Sequence, residues 1–269
     1  MESNKPKVTF LISVYNGNEE QLKKAIESVI HQTYDNYEIL IIDDGATDNS
    51  IKIIEAYACD KIKILHNEEN MGLEKSLNKG VNYIQTPYIA RMDTDDIAHI
   101  DRLEKQVAFA EKHPEYAIIG SKVNMFDNEG IYGCSKIEGE IQKEDLLFGT
   151  PFAHPSMLMR TKDIKEIGGY PLFHRCEDYA MVMKMYSMGK KGYIMPEILL
   201  DYRMDKNGYN KRKIKDRFIE CKARKTFFKQ MGIPWYKRYY IWKPLLVALI
   251  PKNVMIRYHQ NKFKKEVKE

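Results

Sequence analysis

Two carboxylates two residues apart, Asp93-Thr94-Asp95, with Asp96 directly behind them, are the residues whose type and spacing point most directly to chemistry. At a strand end such a pair can face one point, where one carboxylate holds a divalent cation and its neighbour a ribose hydroxyl or a water. A second acidic pair opens the run Asp43-Asp44-Gly45-Ala46-Thr47-Asp48. Small and turn-forming residues accompany them at Ser13-Val14-Tyr15-Asn16-Gly17 and Asn70-Met71-Gly72. Oxygen ligands dominate this set and cations are scarce. It would repel a phosphorylated ligand unless a divalent metal neutralised the phosphates. Taken alone, an Asp-x-Asp triplet is more often a turn or a helix N-cap, and Asp96 could itself cap a helix.

The elements around the acids favour the first reading. Val8 to Val14 (VTFLISV) is a short apolar run rich in β-branched residues, which predicts a buried parallel strand. Further strands are predicted over 37–42, 61–65, 88–92 and 116–120. Between them, Leu22, Ile26, Val29 and Ile30 recur at helical spacing, as do Ile51, Ile54 and Ala58 behind an N-cap at Asp48, and Leu73, Leu77 and Val81. A fourth helix is predicted over 102–112. This alternation predicts an α/β fold with a mostly parallel central sheet and helices on both faces. Such sheets bind ligands beyond the carboxyl ends of their strands, and each group named above follows a strand. Ser121 to Thr150 is polar and mixed, a helix is predicted over 178–189, and more helices follow Lys211.

Composition narrows the class. With 43% hydrophobic and 30% charged residues in 269, the chain can build a sizeable core and does not read as disordered. Its longest apolar run, Pro244 to Pro251, is far short of the roughly 20 residues that span a bilayer. The polar N-terminus does not read as a secretory signal. Four separated cysteines without a CxxC pair suggest a reducing compartment and no zinc site. The net charge of +5 hides a division: residues 206–269 carry 19 Lys/Arg against 4 Asp/Glu. A segment so basic usually meets something anionic.

SVYNGNEEQLKKAIESVIHQTYDNYEILIIDDGATDNS, NMGLEKSLNKG, MDTDD, AHPSMLMR, GGY and Cys176-Glu177-Asp178-Tyr179 occur in an order and spacing that resemble glycosyltransferase family two over about residues 7–205. The resemblance implies an inverting enzyme of the type A glycosyltransferase fold, with a Rossmann-like nucleotide-binding half over about 1–100 and an acceptor half over about 101–205. A basic helical extension, 206–269, would follow. It implies transfer of a sugar from a nucleotide donor, commonly a UDP-sugar, to a glycan or lipid-linked acceptor, with Mn²⁺ or Mg²⁺. By the same resemblance Ser13 and Tyr15 cradle the base, Asp44 accepts from its N3–H, and Lys75 lies near it. Asp93 meets the ribose or a metal water, Asp95 ligates the metal, and Asp96 faces the donor sugar. Glu177-Asp178 match the acidic pair near the acceptor, with Asp178 as general base. His154 lines the acceptor cleft or is a buried histidine, and Arg203 contacts the diphosphate or forms a structural ion pair. Where relatives often carry a histidine, this chain has Asp205. The carry-over suits the chemistry, because in-line displacement at the anomeric carbon needs a carboxylate to accept the acceptor's proton. A QxxRW signature of processive synthases is absent, which favours addition of a single sugar.

In the basic segment, Trp235-Tyr236-Lys237-Arg238-Tyr239-Tyr240-Ile241-Trp242-Lys243 interleaves aromatics with cations. That pattern suits peripheral contact with an anionic membrane, placing the protein in the cytoplasm at the inner face of the cell membrane. It suits equally a helical subdomain packed by its aromatics, or pairing of two chains in a homo-oligomer. No nucleic acid is expected, since no recognition motif accompanies the charge. Two rival functions stand beside glycosyl transfer. One is nucleotidyl transfer, which wants a basic Gly-rich loop where Tyr15 to Glu20 is acidic. The other is a non-catalytic nucleotide-sugar-binding module, which would have no need of an intact Asp93, Asp95 and Asp178.

Overall fold

The computed structural model describes residues 5–57, 59–204, 213–250 and 254. Its frame is four parallel strands, β1 (Val8–Val14), β2 (Tyr37–Asp43), β3 (Ile62–His66) and β4 (Tyr88–Met92), in the spatial order β3-β2-β1-β4. Side chains alternate across the pleat. Phe10 and Ile12 of β1 therefore point into one core, with Leu22, Ile26 and Val29 of α1 (Glu19–Ile30). Leu11 points into the other, with Leu77 and Val81 of α3 (Leu73–Tyr83). Each fully buried aliphatic or aromatic side chain contributes roughly 1.5–3 kcal/mol, so this two-sided burial is what holds the strands in register. Between these helices lies the short α2 (Ser50–Glu55). Its N-cap is Asn49 rather than Asp48; Asp48, one residue earlier, accepts from the Ser50 N–H at 2.9 Å.

Because β1 pairs with β2 on one side and with β4 on the other, the strand order reverses between β1 and β4, and sheets of this kind bind ligands beyond the carboxyl ends at such a point. Beyond β4 the sheet is mixed. Strand β9 (Leu158–Arg160) runs antiparallel to β4 and to β6 (Tyr116–Asp127), while β6 pairs parallel with β10 (Lys191–Arg203). Three short strands, β5 (Ile97–Ala98), β7 (Gly130–Cys134) and β8 (Gly139–Ile141), add antiparallel pairs at β10 and β6. The parallel pattern expected from the sequence thus holds for the first half. In the second half, β6 continues past Gly120 into the polar stretch, and β10 is interrupted by register shifts around Pro196.

Helices α4 (Arg102–Lys112), α5 (Thr161–Glu166) and α6 (Glu177–Ser187) complete the layers. The basic segment begins with α7 (Ile214–Gln230), whose Ala223, Phe227 and Phe228 enter the same core as α6. Arg224 is buried there, paired with Glu220 at 2.8 Å and donating to the Leu147 carbonyl at 2.8 Å. A 3-10 helix (Trp235–Trp242) and α8 (Lys243–Ala248) follow. No described helix is long and apolar enough to cross a membrane.

Candidate active site

The loops after β1, β2 and β3 are tied into one wall. Asn16, held at a φ of 38°, accepts from the Thr47 N–H at 2.8 Å, and Asp48 accepts from the Gly17 N–H at 2.8 Å. Asp44 is almost fully buried, and its carboxylate is the hub. It accepts from Asn67 (2.9 Å), Ser76 (2.7 Å), Asn70 (3.2 Å) and the backbone N–H groups of Met71 (2.8 Å) and Gly72 (3.0 Å). A carboxylate satisfied by five donors sets the path of the loop leading into α3. Gly45 makes this contact possible: it has a φ of 73°, and a Cβ there would lie 2.7 Å from the Glu69 carbonyl carbon. Asp43 accepts from the Ala46 N–H and from His66 Nδ1, each at 2.8 Å. Ser13, next to last in β1, is half-buried, and Tyr15, just past the strand's end, is half-exposed. Lys75 lies exposed on the first turn of α3, while Lys79 one turn on reaches the Asn67 side chain at 2.8 Å.

Asp93-Thr94-Asp95-Asp96 turns the chain from β4 into β5. Arg91 and Arg203 hold this turn. Arg91 is fully buried and donates to Asp93 Oδ1, while its Nε and Nη1 find no partner among the described residues. Arg203, at the end of β10, donates its N–H to Asp96 Oδ1 at 2.7 Å and its Nε to the Asp95 carbonyl at 3.3 Å. Its guanidinium lies 4.5 Å from the centre of the Phe126 ring and reaches Asn128 Oδ1 at 3.0 Å. Asp96 is buried with Oδ2 unpartnered among the described residues. Burial, and then the charges of Asp93 and Asp95, hold its carboxyl well above the ordinary range.

Glu177 and Asp178 occupy the first turn of α6, where the helix dipole favours acids. Burial, then Asp178, push the Glu177 carboxyl up to about 7. Its Oε2 and the Oε2 of Glu74, on the first turn of α3, are both buried without a partner among the described residues. His154 is buried on a single 3-10 turn, with Nε2 2.9 Å from the Tyr170 hydroxyl. Burial, reinforced by Arg91, lowers its pKa well below that of an ordinary histidine, so it is neutral. The Gly168-Gly169-Tyr170 turn is clamped by Asn78, which accepts from the Tyr170 N–H at 2.7 Å and donates to the Tyr170 carbonyl at 2.9 Å. A Cβ on Gly169 would collide with Asn78 Oδ1.

Two tyrosines feel both acidic groups. After burial, the charges of Asp96, Asp93, Asp178 and Asp95, in that order, push the Tyr202 hydroxyl upward, so acids from both groups act on one phenol. Tyr170 feels Asp178, Asp93 and Glu177 in the same way. The turn after β4 and the start of α6, some eighty residues apart in the chain, therefore act on the same two phenols. Sequence reasoning gave no role to Arg91, Tyr170, Tyr202 or Glu74; Arg91 sits inside the strand YIARM, where it reads as an ordinary strand residue.

No group of three or more His, Cys, Asp or Glu able to hold a metal occurs among the described residues. A cation bound through one or two carboxylates and a substrate diphosphate needs no such cage. Asp95 and Asp93 suit that mode, because they crowd a buried, half-satisfied Asp96 whose like charges a cation would relieve. Asp205 lies outside the described residues.

Residues 9–185 match the sequence profile of Glycosyl transferase family 2, and the chain belongs to that family. As a member it is a glycosyltransferase. It is 33% identical to the putative glycosyltransferase EpsE of Bacillus subtilis over 263 residues, covering 96% of this chain and 94% of that one. It is 30% identical to the UDP-Gal:alpha-D-GlcNAc-diphosphoundecaprenol beta-1,3-galactosyltransferase of Escherichia coli, covering 85% and 86%. In fold it resembles Staphylococcus aureus TarS 1-349 in complex with UDP-GlcNAc. The TM-score is 0.69 and the identity 18%, covering 89% of this chain and 71% of that one.

Proposed function

We propose that the chain is a metal-dependent, inverting glycosyltransferase that moves one sugar from a UDP donor to a lipid-linked glycan at the inner face of a membrane. The observation that carries this is that Asp93, Asp95 and Asp96 after β4 and Asp178 on the first turn of α6 all act electrostatically on Tyr202. It provides a donor side and an acceptor side in one cleft. The E. coli relative, whose name gives a UDP-sugar and a GlcNAc-diphospholipid, supports the choice of donor and acceptor class.

In this reading Ser13 and Tyr15 frame the base against the wall that Asp44 holds, and Lys75 closes its open side. Asp93 turns toward the ribose, and Asp95 toward a divalent cation with Asp93 beside it. When bound, Mn²⁺ or Mg²⁺ supplies Lewis-acid stabilisation of the leaving diphosphate. Asp96 faces the donor sugar, and Arg203 keeps the turn in place. Asp178 takes the proton of the attacking hydroxyl, while Glu177, with a carboxyl near 7, donates or accepts a hydrogen bond beside it. His154, neutral and bonded to Tyr170, shapes the acceptor wall without charge. Residues 1–205 would form the catalytic domain and 206–269 its extension.

The test is release of UDP from a panel of UDP-sugars, in Mn²⁺ or Mg²⁺, with a GlcNAc-diphospholipid as acceptor. Acceptor-stimulated release with at least one donor supports the proposal. No release with any donor in either metal overturns it.

A further inference from the structure

We infer that the surface formed by residues 235–250 is a docking face for an anionic lipid bilayer. It rests on the lipid-linked acceptor reading only for its purpose; the contacts that argue for it are independent. Trp235, Tyr239, Trp242, Leu246 and Leu249 recur at spacings of four, three, four and three residues. Each is more than half exposed, Trp235 at 80% and Leu249 at 79%, and Tyr236 beside them is exposed too. The opposite side of the same segment is anchored. Tyr240 and Ile241 pack against the core, Pro244 is buried, and Arg238 Nε donates to the Ile233 carbonyl at 3.0 Å. A subdomain packed by its aromatics would bury the tryptophans; this one holds itself by its smaller contacts and turns both tryptophans outward.

Charge identifies the partner. Residues 235–250 contain Lys237, Arg238 and Lys243 and no Asp/Glu. A second copy of the chain would bring two such segments together with like charges opposed, whereas an anionic leaflet complements them. Tryptophan and tyrosine are the side chains that settle at the water–lipid boundary, with an apolar body and a polar handle. Phe148, also exposed, widens the face: its ring stands edge-on to Tyr240 at 5.2 Å, and Lys243 Nζ donates to its carbonyl at 2.7 Å. The face is braced against the acceptor side of the cleft. Arg224 of α7 donates to the Tyr240 carbonyl at 3.3 Å, and Phe227 of α7 meets Phe173 edge-on at 5.9 Å. Phe173 lies four residues before Glu177. A bilayer seated on this face would hold a lipid-anchored sugar close to the loop that carries the acceptor-side acids.

Vesicle flotation of the full chain tests this, with phosphatidylcholine alone and with about a third phosphatidylglycerol. The protein should float with the anionic vesicles and not with the neutral ones. Trp235→Ser, Trp242→Ser and Leu249→Ser together should reduce the bound fraction at least about tenfold. Lys237→Glu with Lys243→Glu should abolish the preference for anionic lipid. Melting temperature should be unchanged in the triple variant, since these side chains are exposed. Undiminished flotation of the triple variant, or no flotation of the parent chain with either vesicle, overturns the inference. So does a dimer in sedimentation that the triple variant dissociates without any lipid binding. UDP release measured in parallel separates the two proposals: flotation without release refutes the transferase reading alone, and release without flotation refutes the docking face alone.

Discussion

Arg203 donates its backbone N–H to Asp96 Oδ1 at 2.7 Å although 107 residues separate them. This bond joins the end of β10 to the turn that carries the Asp-x-Asp pair, so the second half of the sheet sets the geometry of an acidic turn built by the first. Among the described residues only one oxygen of Asp96 is satisfied, and burial, then the charges of Asp93 and Asp95, hold its carboxyl well above the ordinary range.

Asp96→Asn keeps the acceptor for Arg203 and removes the charge. It should change stability by less than about 1 kcal/mol, whereas Asp96→Ala, which strands the donor, should cost on the order of 1–3 kcal/mol. Urea unfolding without metal checks this. Equal losses in both variants would show that the hydrogen bond is not what matters.

Asp44→Ala removes the acceptor of five hydrogen bonds at once. The expected loss is on the order of 3 kcal/mol, with local unfolding of the 67–72 loop. Hydrogen exchange at the Met71 and Gly72 amides reports it directly, and protection equal to that of the parent chain would be the contrary result.

Glu177 has a carboxyl pKa of about 7 in the fold, against 4.5 for an ordinary glutamate. A group that binds its proton more tightly when folded stabilises fully below the lower value, and that stability is lost as pH rises through the higher one. Unfolding free energy should therefore fall between about pH 5 and 8, by on the order of 2 kcal/mol after allowance for partial solvation. Glu177→Gln should flatten that slope. A slope unchanged in the variant would assign the titration to another group.

Asp178→Asn preserves shape and removes the proposed base. Transfer should fall by roughly 10²–10⁴-fold while UDP affinity stays within about twofold. Parallel loss of both would make Asp178 a donor-side residue.

The donor half was legible because its signals are local. Short β-branched runs and helical spacing predict β1 to β4, and turn residues after each strand mark the binding edge. The Asp-x-Asp pair was legible for the same reason. In the second half α4, α6 and the start of β6 were legible, but the remaining strands were not, because their register depends on distant partners: β9 is three residues long, and β10 contains Pro196 and a bulge. Asp48 was read as the cap of α2, one residue before Asn49 takes that place. Arg91 looked like one more strand residue, since nothing in YIARM reveals that its guanidinium is buried beneath Asp93. Asp44 was matched to the base, but its hold on Asn67, Ser76 and the Met71 and Gly72 amides becomes visible only in three dimensions.

The central claim, that the acids after β4 welcome an anionic donor through a divalent cation, is tested most directly by calorimetric titration of UDP. The parent chain and Asp95→Asn would each be measured in Mn²⁺ and in EDTA. The account predicts that EDTA weakens binding to the parent at least about tenfold, and that Asp95→Asn in Mn²⁺ loses a comparable factor. Equal affinity in Mn²⁺ and EDTA, untouched by Asp95→Asn, would contradict it.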